Sequence, residues 1–111
     1  MDCTNDYCFN GKLTIRQPLN GYRFSVDAVL LGRWVRHKKN ARVLDLGCGS
    51  GIIGLMLAYL YRDNLVTGVE SKSSLAEIAG ANAVDNGLDN LKISEGDARK
   101  LKSDAIGAPF D

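Results

Sequence analysis

The residues with chemistry to offer stand at three points of this 111-residue chain: Asp45 with Gly47, Cys48, Gly49 and Gly51, then Glu70, then Asp97 with Ala98. The first group lies in Arg42–Gly54, which reads RVLDLGCGSGIIG. Val43, Leu44 and Leu46 make an apolar run long enough for one buried strand, and Asp45 interrupts it near its end. Glycines follow at every second position, and Ile52, Ile53, Leu55, Met56 and Leu57 open an apolar helix. A strand, a glycine turn and a helix form the first half of a βαβ unit that takes a nucleotide-like ligand. Residues without a Cβ permit φ > 0 and let a ligand lie against the backbone. The unpaired N–H groups of the following helix face a polar or anionic group. A carboxylate in an apolar run needs a partner, so Asp45 is a binding candidate rather than a surface acid.

The flanking elements must position these groups. Leu65–Glu70 reads as a second strand ending in an acid, and Leu91–Glu95 as a third, closed by Gly96-Asp97. Between them Ser74-Leu75-Ala76-Glu77 has the capping-box pattern, with a helix to about Asn86 and Gly87 as its C′ residue. Ala98 to Leu101 starts a short helix. Strand, helix, strand, helix, strand with right-handed crossovers gives three parallel strands in spatial order third, second, first. The fold class is α/β, half of a doubly wound sheet with its first strand at an open edge.

Ahead of this core, residues 1–40 form a separate segment. Residues 1–10 are polar without clear period and are expected to be mobile. Gly11–Gln17 alternates as a half-exposed strand, and Pro18, Asn20 and Gly21 break it. Ser25 caps a helix expected from Val26 to about His37, whose apolar face is Val26, Val29, Leu30, Trp34 and Val35. Trp34 is therefore expected in the core. Tyr59, Leu60 and Tyr61 are expected to pack at the end of the central helix. Arg33, Arg36, His37, Lys38, Lys39 and Arg42 read as cations at a helix C-terminus and in a solvated loop.

Composition narrows the function. Hydrophobic content of 45% and charged content of 24% fit one soluble globular domain. Net charge of +1 gives no global basic field for nucleic acid. No apolar stretch is long enough to span a membrane and no signal peptide is evident, so the cytoplasm is expected. Cys3, Cys8 and Cys48 lack a paired spacing and a histidine pair, so no metal site is expected.

The loop fits two templates. Gly49–Gly54 matches the GxGxxG of dinucleotide enzymes, and Asp45–Gly51 matches the DxGxGxG of S-adenosylmethionine (SAM) methyltransferases. With Glu70 and Asp97 at the ends of the next strands, the chain resembles class I, Rossmann-like SAM-dependent methyltransferases. The stretch Gln17–Leu31, reading QPLNGYRFSVDAVLL, is similar to the leading segment of the methyltransferase small domain group, near the tRNA1(Val) adenine N6-methyltransferases. Asn82 and Asn86 match that group's A-N-A-x-x-N-G pattern.

The resemblance implies roles. SAM is the cofactor. Gly47, Gly49 and Gly51 line its methionine and ribose portion, with Cys48 as a small neighbour. Asp45 holds the methionine ammonium, Glu70 the ribose hydroxyls, and Asp97 the adenine amino group beside the Ala98 N–H. Tyr22, Arg23 and Phe24 cover the cofactor. The implied partner is tRNA or another RNA. Phe110-Asp111 resembles the start of a strand that leads, in these enzymes, into Asn-Pro-Pro-Tyr, which holds the target base. That motif does not occur here. The expectation is a domain at 41–111 truncated before that motif, unable to transfer methyl alone, self-associating or pairing with further strands through its open sheet edge. A protein-glutamine or rRNA methyltransferase, and a non-catalytic nucleoside or NAD-binding module, remain alternatives.

Overall fold

The computed structural model describes residues 2–21, 23–102, 106, 107 and 109–111. In chain order they form β1 (Cys3–Cys8), β2 (Leu13–Pro18), α1 (Val26–Trp34), β3 (Arg42–Leu46), α2 (Ile52–Leu60), β4 (Leu65–Glu70), α3 (Ser73–Asp85), β5 (Leu91–Glu95) and a 3-10 turn at Ala98–Lys100. Strands β3, β4 and β5 make a parallel sheet in the order β3-β4-β5, with Asp45 opposite Gly68 and Glu70 opposite Glu95. This is the expected βαβαβ unit. Its core is Leu55, Met56, Leu57, Val66 and Leu91, joined by Leu13 and Ile15 from β2.

The amino terminus departs from expectation. Residues 3–8 are not free chain but an edge strand paired antiparallel to β2, from Cys3 opposite Pro18 to Cys8 opposite Leu13. Phe9, Asn10 and Gly11 all take positive φ (54°, 56° and 81°), making the tight reversal that an Asn-Gly pair permits. The strand has no apolar alternation because it needs none. It pairs through its backbone, while β2 supplies the buried Leu13 and Ile15. Its one buried-side acid is well used: the Asp6 carboxylate accepts from Gln17 Nε2 (2.6 Å) and Arg23 Nη2 (3.0 Å).

Helix α1 also differs. It stops at Trp34, and the next residue is extended (φ −60°, ψ 128°), so it does not reach His37. Trp34 is not a core residue; it is 82% exposed, on an outer stripe with Val26 and Leu30. The inner face is set by Gly32, where an added Cβ would lie 3.0 Å from Met56 Sδ. The helix seats where its backbone approaches closest; Val29 and Val35 pack on the core as expected, while Val26, Leu30 and Trp34 turn outward. Tyr61 stacks on His37, with ring centroids 4.2 Å apart.

Helix α3 begins at Ser73 with Lys72 as its N-cap, two residues before the Ser74 cap of the capping-box reading and without a side-chain cap; Leu75 and Ala76 N–H both donate to Lys72 O. At the far edge of the sheet, the Arg42 end of β3 meets Asp111 and Gly107, whose carbonyl accepts from Arg42 Nη1 (3.0 Å). Asp111 N–H donates to Arg42 O (2.8 Å) and Arg42 N–H donates to the Asp111 carboxylate (2.9 Å). No helix among the described residues is long and apolar enough to cross a membrane.

Candidate functional site

Parallel strands bring their carboxyl ends to one edge of a sheet, and a ligand cleft forms there. Here that edge carries Gly47–Gly51 after β3, Glu70 at the end of β4, and Gly96-Asp97 after β5. Backbone bonds lock the three ends together. Gly47 and Cys48 N–H both donate to Val69 O (2.8 and 3.0 Å), and Gly96 N–H donates to Glu70 O (2.9 Å). Gly47, Gly49 and Gly51 all take positive φ, at 70°, 59° and 94°. At Gly47 an added Cβ would meet nothing within 4 Å, so that face of the turn is open to a ligand.

Glu70 organises the turn. Its Oε1 accepts from Gly49 N–H (3.0 Å) and its Oε2 from Lys72 N–H (2.8 Å), which also steadies the start of α3. Each oxygen keeps a second lone pair for ligand hydroxyls.

Asp45 is the most unusual group. Its Oδ2 is buried with no hydrogen-bond partner. Burial raises its pKa to about 6; the Gly54 backbone N–H opposes this and the Glu70 charge adds to it. Cys48 is pushed up to about 12 by burial, then by the Asp45 and Glu70 charges, so its thiol stays protonated. It is a packing residue and not a nucleophile: a Cβ on Gly68 would lie 3.0 Å from its Sγ.

Asp97 caps the 3-10 turn, accepting from Arg99 N–H (2.9 Å), and its carboxylate is also gripped by the Arg99 guanidinium (2.7 Å). Arg99, first through its side chain and then through its backbone N–H, holds the carboxyl below the usual range, so Asp97 is a charged acceptor. Ala98, next to it, is exposed. Arg23 lies toward the amino-terminal hairpin, donating to Thr4 Oγ1 (2.8 Å), Pro18 O (2.7 Å) and Asp6. Tyr22 lies outside the described residues. The structure thus brings Asp45, Gly47, Cys48, Gly49, Gly51 and Glu70 together at the turn and sets Asp97 and Ala98 on the neighbouring strand end.

A cavity of about 490 Å³ lies elsewhere, lined by Arg42, Leu65, Thr67, Lys92, Ser94 and Phe110 among others. It shares no residue with this turn and carries none of the acids above. The chemistry is at the strand ends, where charge and open backbone coincide.

One contributor has no assigned role in the sequence reading. Asn82 donates through Nδ2 to Ser50 O (2.9 Å), inside the glycine turn. Its signal was the A-N-A-x-x-N-G pattern, which marks the residue without saying what it holds.

Comparison with known proteins places the chain by family and fold. A family model described as "Methyltransferase domain" matches residues 37–111. The tRNA1(Val) (adenine(37)-N6)-methyltransferase of Yersinia enterocolitica is 44% identical over 62 residues, 55% of this chain and 25% of that protein. The protein of the same name from Aliivibrio salmonicida is 39% identical over 66 residues, 60% of this chain and 28% of that protein. The chain therefore spans about a quarter of the length of these relatives. Among solved structures, a SAM-dependent methyltransferase from Thiobacillus denitrificans in complex with S-adenosyl-L-homocysteine is 32% identical with a TM-score of 0.61, covering 73% of this chain and 33% of that one. The corresponding Geobacter sulfurreducens structure is 29% identical, also with a TM-score of 0.61, over 73% of this chain and 32% of that one.

Proposed function

This chain belongs to the methyltransferase domain family, and on that premise we propose that it is the cofactor-holding part of a SAM-dependent methyltransferase acting on tRNA adenine N6. The observation that carries the cofactor reading is Asp45. A buried carboxylate oxygen without a partner, on the strand residue two before Gly47 and close to Gly54 at the start of α2, suits a ligand that brings positive charge to the strand end. SAM carries an ammonium and a sulfonium. A dinucleotide would bring its pyrophosphate to the same turn, against the charges of Asp45 and Glu70, and is disfavoured.

When bound, SAM supplies the methyl group on its sulfonium sulfur. The residues of this chain bind and orient it. Gly47, Cys48, Gly49 and Gly51 cradle the methionine and ribose portion, and Asp45 holds the ammonium. Glu70 accepts from the ribose hydroxyls while keeping its bonds to Gly49 and Lys72. Asp97, exchanging its Arg99 contact, accepts from the adenine amino group beside the Ala98 N–H. Arg23, held to the amino-terminal hairpin through Thr4, Pro18 and Asp6, belongs to the proposed amino-terminal wall. The tRNA adenine assignment is supported by the names of the relatives and by the leading segment Gln17–Leu31. No Asn-Pro-Pro-Tyr occurs in these residues, so the chain alone is expected to bind cofactor and leave tRNA unmethylated.

Calorimetric titration with S-adenosylhomocysteine, with NAD as control, tests the cofactor. Selective binding of the homocysteine compound is expected, weakened roughly 10-fold in Asp97→Ala by loss of one charge-assisted hydrogen bond. Preference for NAD overturns the reading.

We also propose that the chain self-associates through the β3 edge, whose strand groups beyond Arg42 meet no strand partner among the described residues. Leu46 there is 53% exposed. Sedimentation velocity should show a coefficient rising with concentration. A single monomeric boundary from dilute to concentrated samples would count against it.

A further inference from the structure

Helix α3 docks on β2 through two amide side chains rather than through apolar contact alone. Asn82 Oδ1 accepts from Arg16 N–H (2.7 Å) and its Nδ2 donates to Arg16 O (2.9 Å). Asn86 repeats this two residues along the strand, with Thr14 N–H donating to Oδ1 (2.9 Å) and Nδ2 donating to Thr14 O (2.7 Å). Four helical residues rise about 6 Å and two strand residues about 6.6 Å, so the spacings match and the two amides stand in for a paired strand.

The two asparagines differ in their second donor hydrogen. Asn86, the C-cap of α3, gives it to Asn82 O in the last turn of that helix (2.7 Å). Asn82 gives it to Ser50 O, between Gly49 and Gly51 (2.9 Å). Both ends of that bond are sealed from water: Asn82 is 1% exposed and Ser50 2%. Glu70 fixes the same turn from the other side through Gly49 N–H.

We propose that Asn82 is a positioning residue for the cofactor site: it holds the glycine turn at its ligand-ready geometry and ties that turn to β2. This rests on the cofactor reading above only for the identity of the ligand. An aspartate cannot substitute, since it would set an acceptor against the carbonyls of both Ser50 and Arg16.

Asn86→Ala is the matched control, because it loses the equivalent pair of β2 bonds, to Thr14, and one to Asn82 O, but none to the turn. Amide hydrogen exchange of the full chain should show the Gly49 and Gly51 N–H groups exchanging more than 10-fold faster in Asn82→Ala, relative to β5 amides. Asn86→Ala should leave them unchanged. S-adenosylhomocysteine affinity should fall about 10-fold in Asn82→Ala alone. Equal effects of the two variants on the turn overturn the proposal. If the wild-type chain binds no S-adenosylhomocysteine, the cofactor reading falls and the exchange result alone decides the positioning role. If Asn82→Ala fails to fold, exchange in the wild type at low urea decides. Arg16 and Gly51 amides should then open with one common urea dependence, and separate openings overturn the proposal.

Discussion

Asp45→Asn is expected to make the chain more stable and to remove most of its cofactor affinity. The ionised carboxylate is held in a place that disfavours charge, with its pKa raised from 3.8 to about 6. In the unfolded chain the same group ionises near 3.8. Between those values the folded state binds more protons, so stability from this group is full below pH 3.8 and is lost as pH rises through 6. The loss is roughly 3 kcal/mol once both states are ionised. Asparagine carries no charge but leaves a buried amide to satisfy, so the net gain at pH 7 is about 1–3 kcal/mol. The gain should vanish below pH 4. Urea denaturation of both proteins at pH 4 and pH 7.5 measures it. A variant less stable at pH 7.5 would mean that the Gly54 N–H contact outweighs the burial of the Asp45 charge, and the site argument would fail with it.

Ligand binding should move the other way. A charged hydrogen bond to an ammonium is worth about 1.5–3 kcal/mol, so Asp45→Asn should weaken S-adenosylhomocysteine roughly 10- to 100-fold. Wild-type affinity should weaken as pH falls through 6, where Asp45 takes up its proton. Binding near pH 6 should release a fraction of a proton, visible as a dependence of the calorimetric heat on buffer ionisation enthalpy. The site and the fold make opposite demands on this residue, as expected of a group retained for binding.

The central unit was legible because its signals are local. The run Val43–Leu46, the alternating glycines and the apolar start of α2 each carry their own structural meaning. Parallel order then follows from handedness. The hairpin was less legible, since β1 is mostly polar and pairs by backbone, and Asn10-Gly11 lies beside only one strand with a readable period. Helix α1 misled because an apolar stripe says which residues avoid water in general. It was the absent side chain at Gly32 that decided which face meets α2. The asparagine clamp was visible as a pattern without a partner. Thr14 and Arg16 are more than 60 residues away in sequence, and no periodicity relates them to α3. In the site, the acids were found by their places at strand ends. That Glu70 already holds Gly49 and Lys72, and that Arg99 already grips Asp97, depends on side-chain geometry that spacing does not encode.

The glycines of the turn separate into two kinds, and substitution should tell them apart. Gly51 sits at φ 94°, ψ 14°, as the cap of α2, and a Cβ there would lie 3.3 Å from Ala79 Cβ and 3.7 Å from Ala79 Cα. The obstacle is the body of α3, not a flexible tip. Gly51→Val combines a left-handed conformation in a β-branched residue, about 1–3 kcal/mol, with overpacking of about the same size. The sum, about 3–5 kcal/mol, is a large fraction of the stability of a small domain. Gly47 is left-handed too, at φ 70°, but faces open space. Gly47→Ala should cost only about 1 kcal/mol of folding stability, yet place a methyl where the ligand must lie. Thermal denaturation should therefore show Gly51→Val melting far below wild type or never folding, and Gly47→Ala nearly unchanged. In titration with S-adenosylhomocysteine, Gly47→Ala should lose affinity despite its intact fold. If Gly47→Ala binds as well as wild type, the ligand does not lie against that face of the turn, and the cradle assigned to it is wrong.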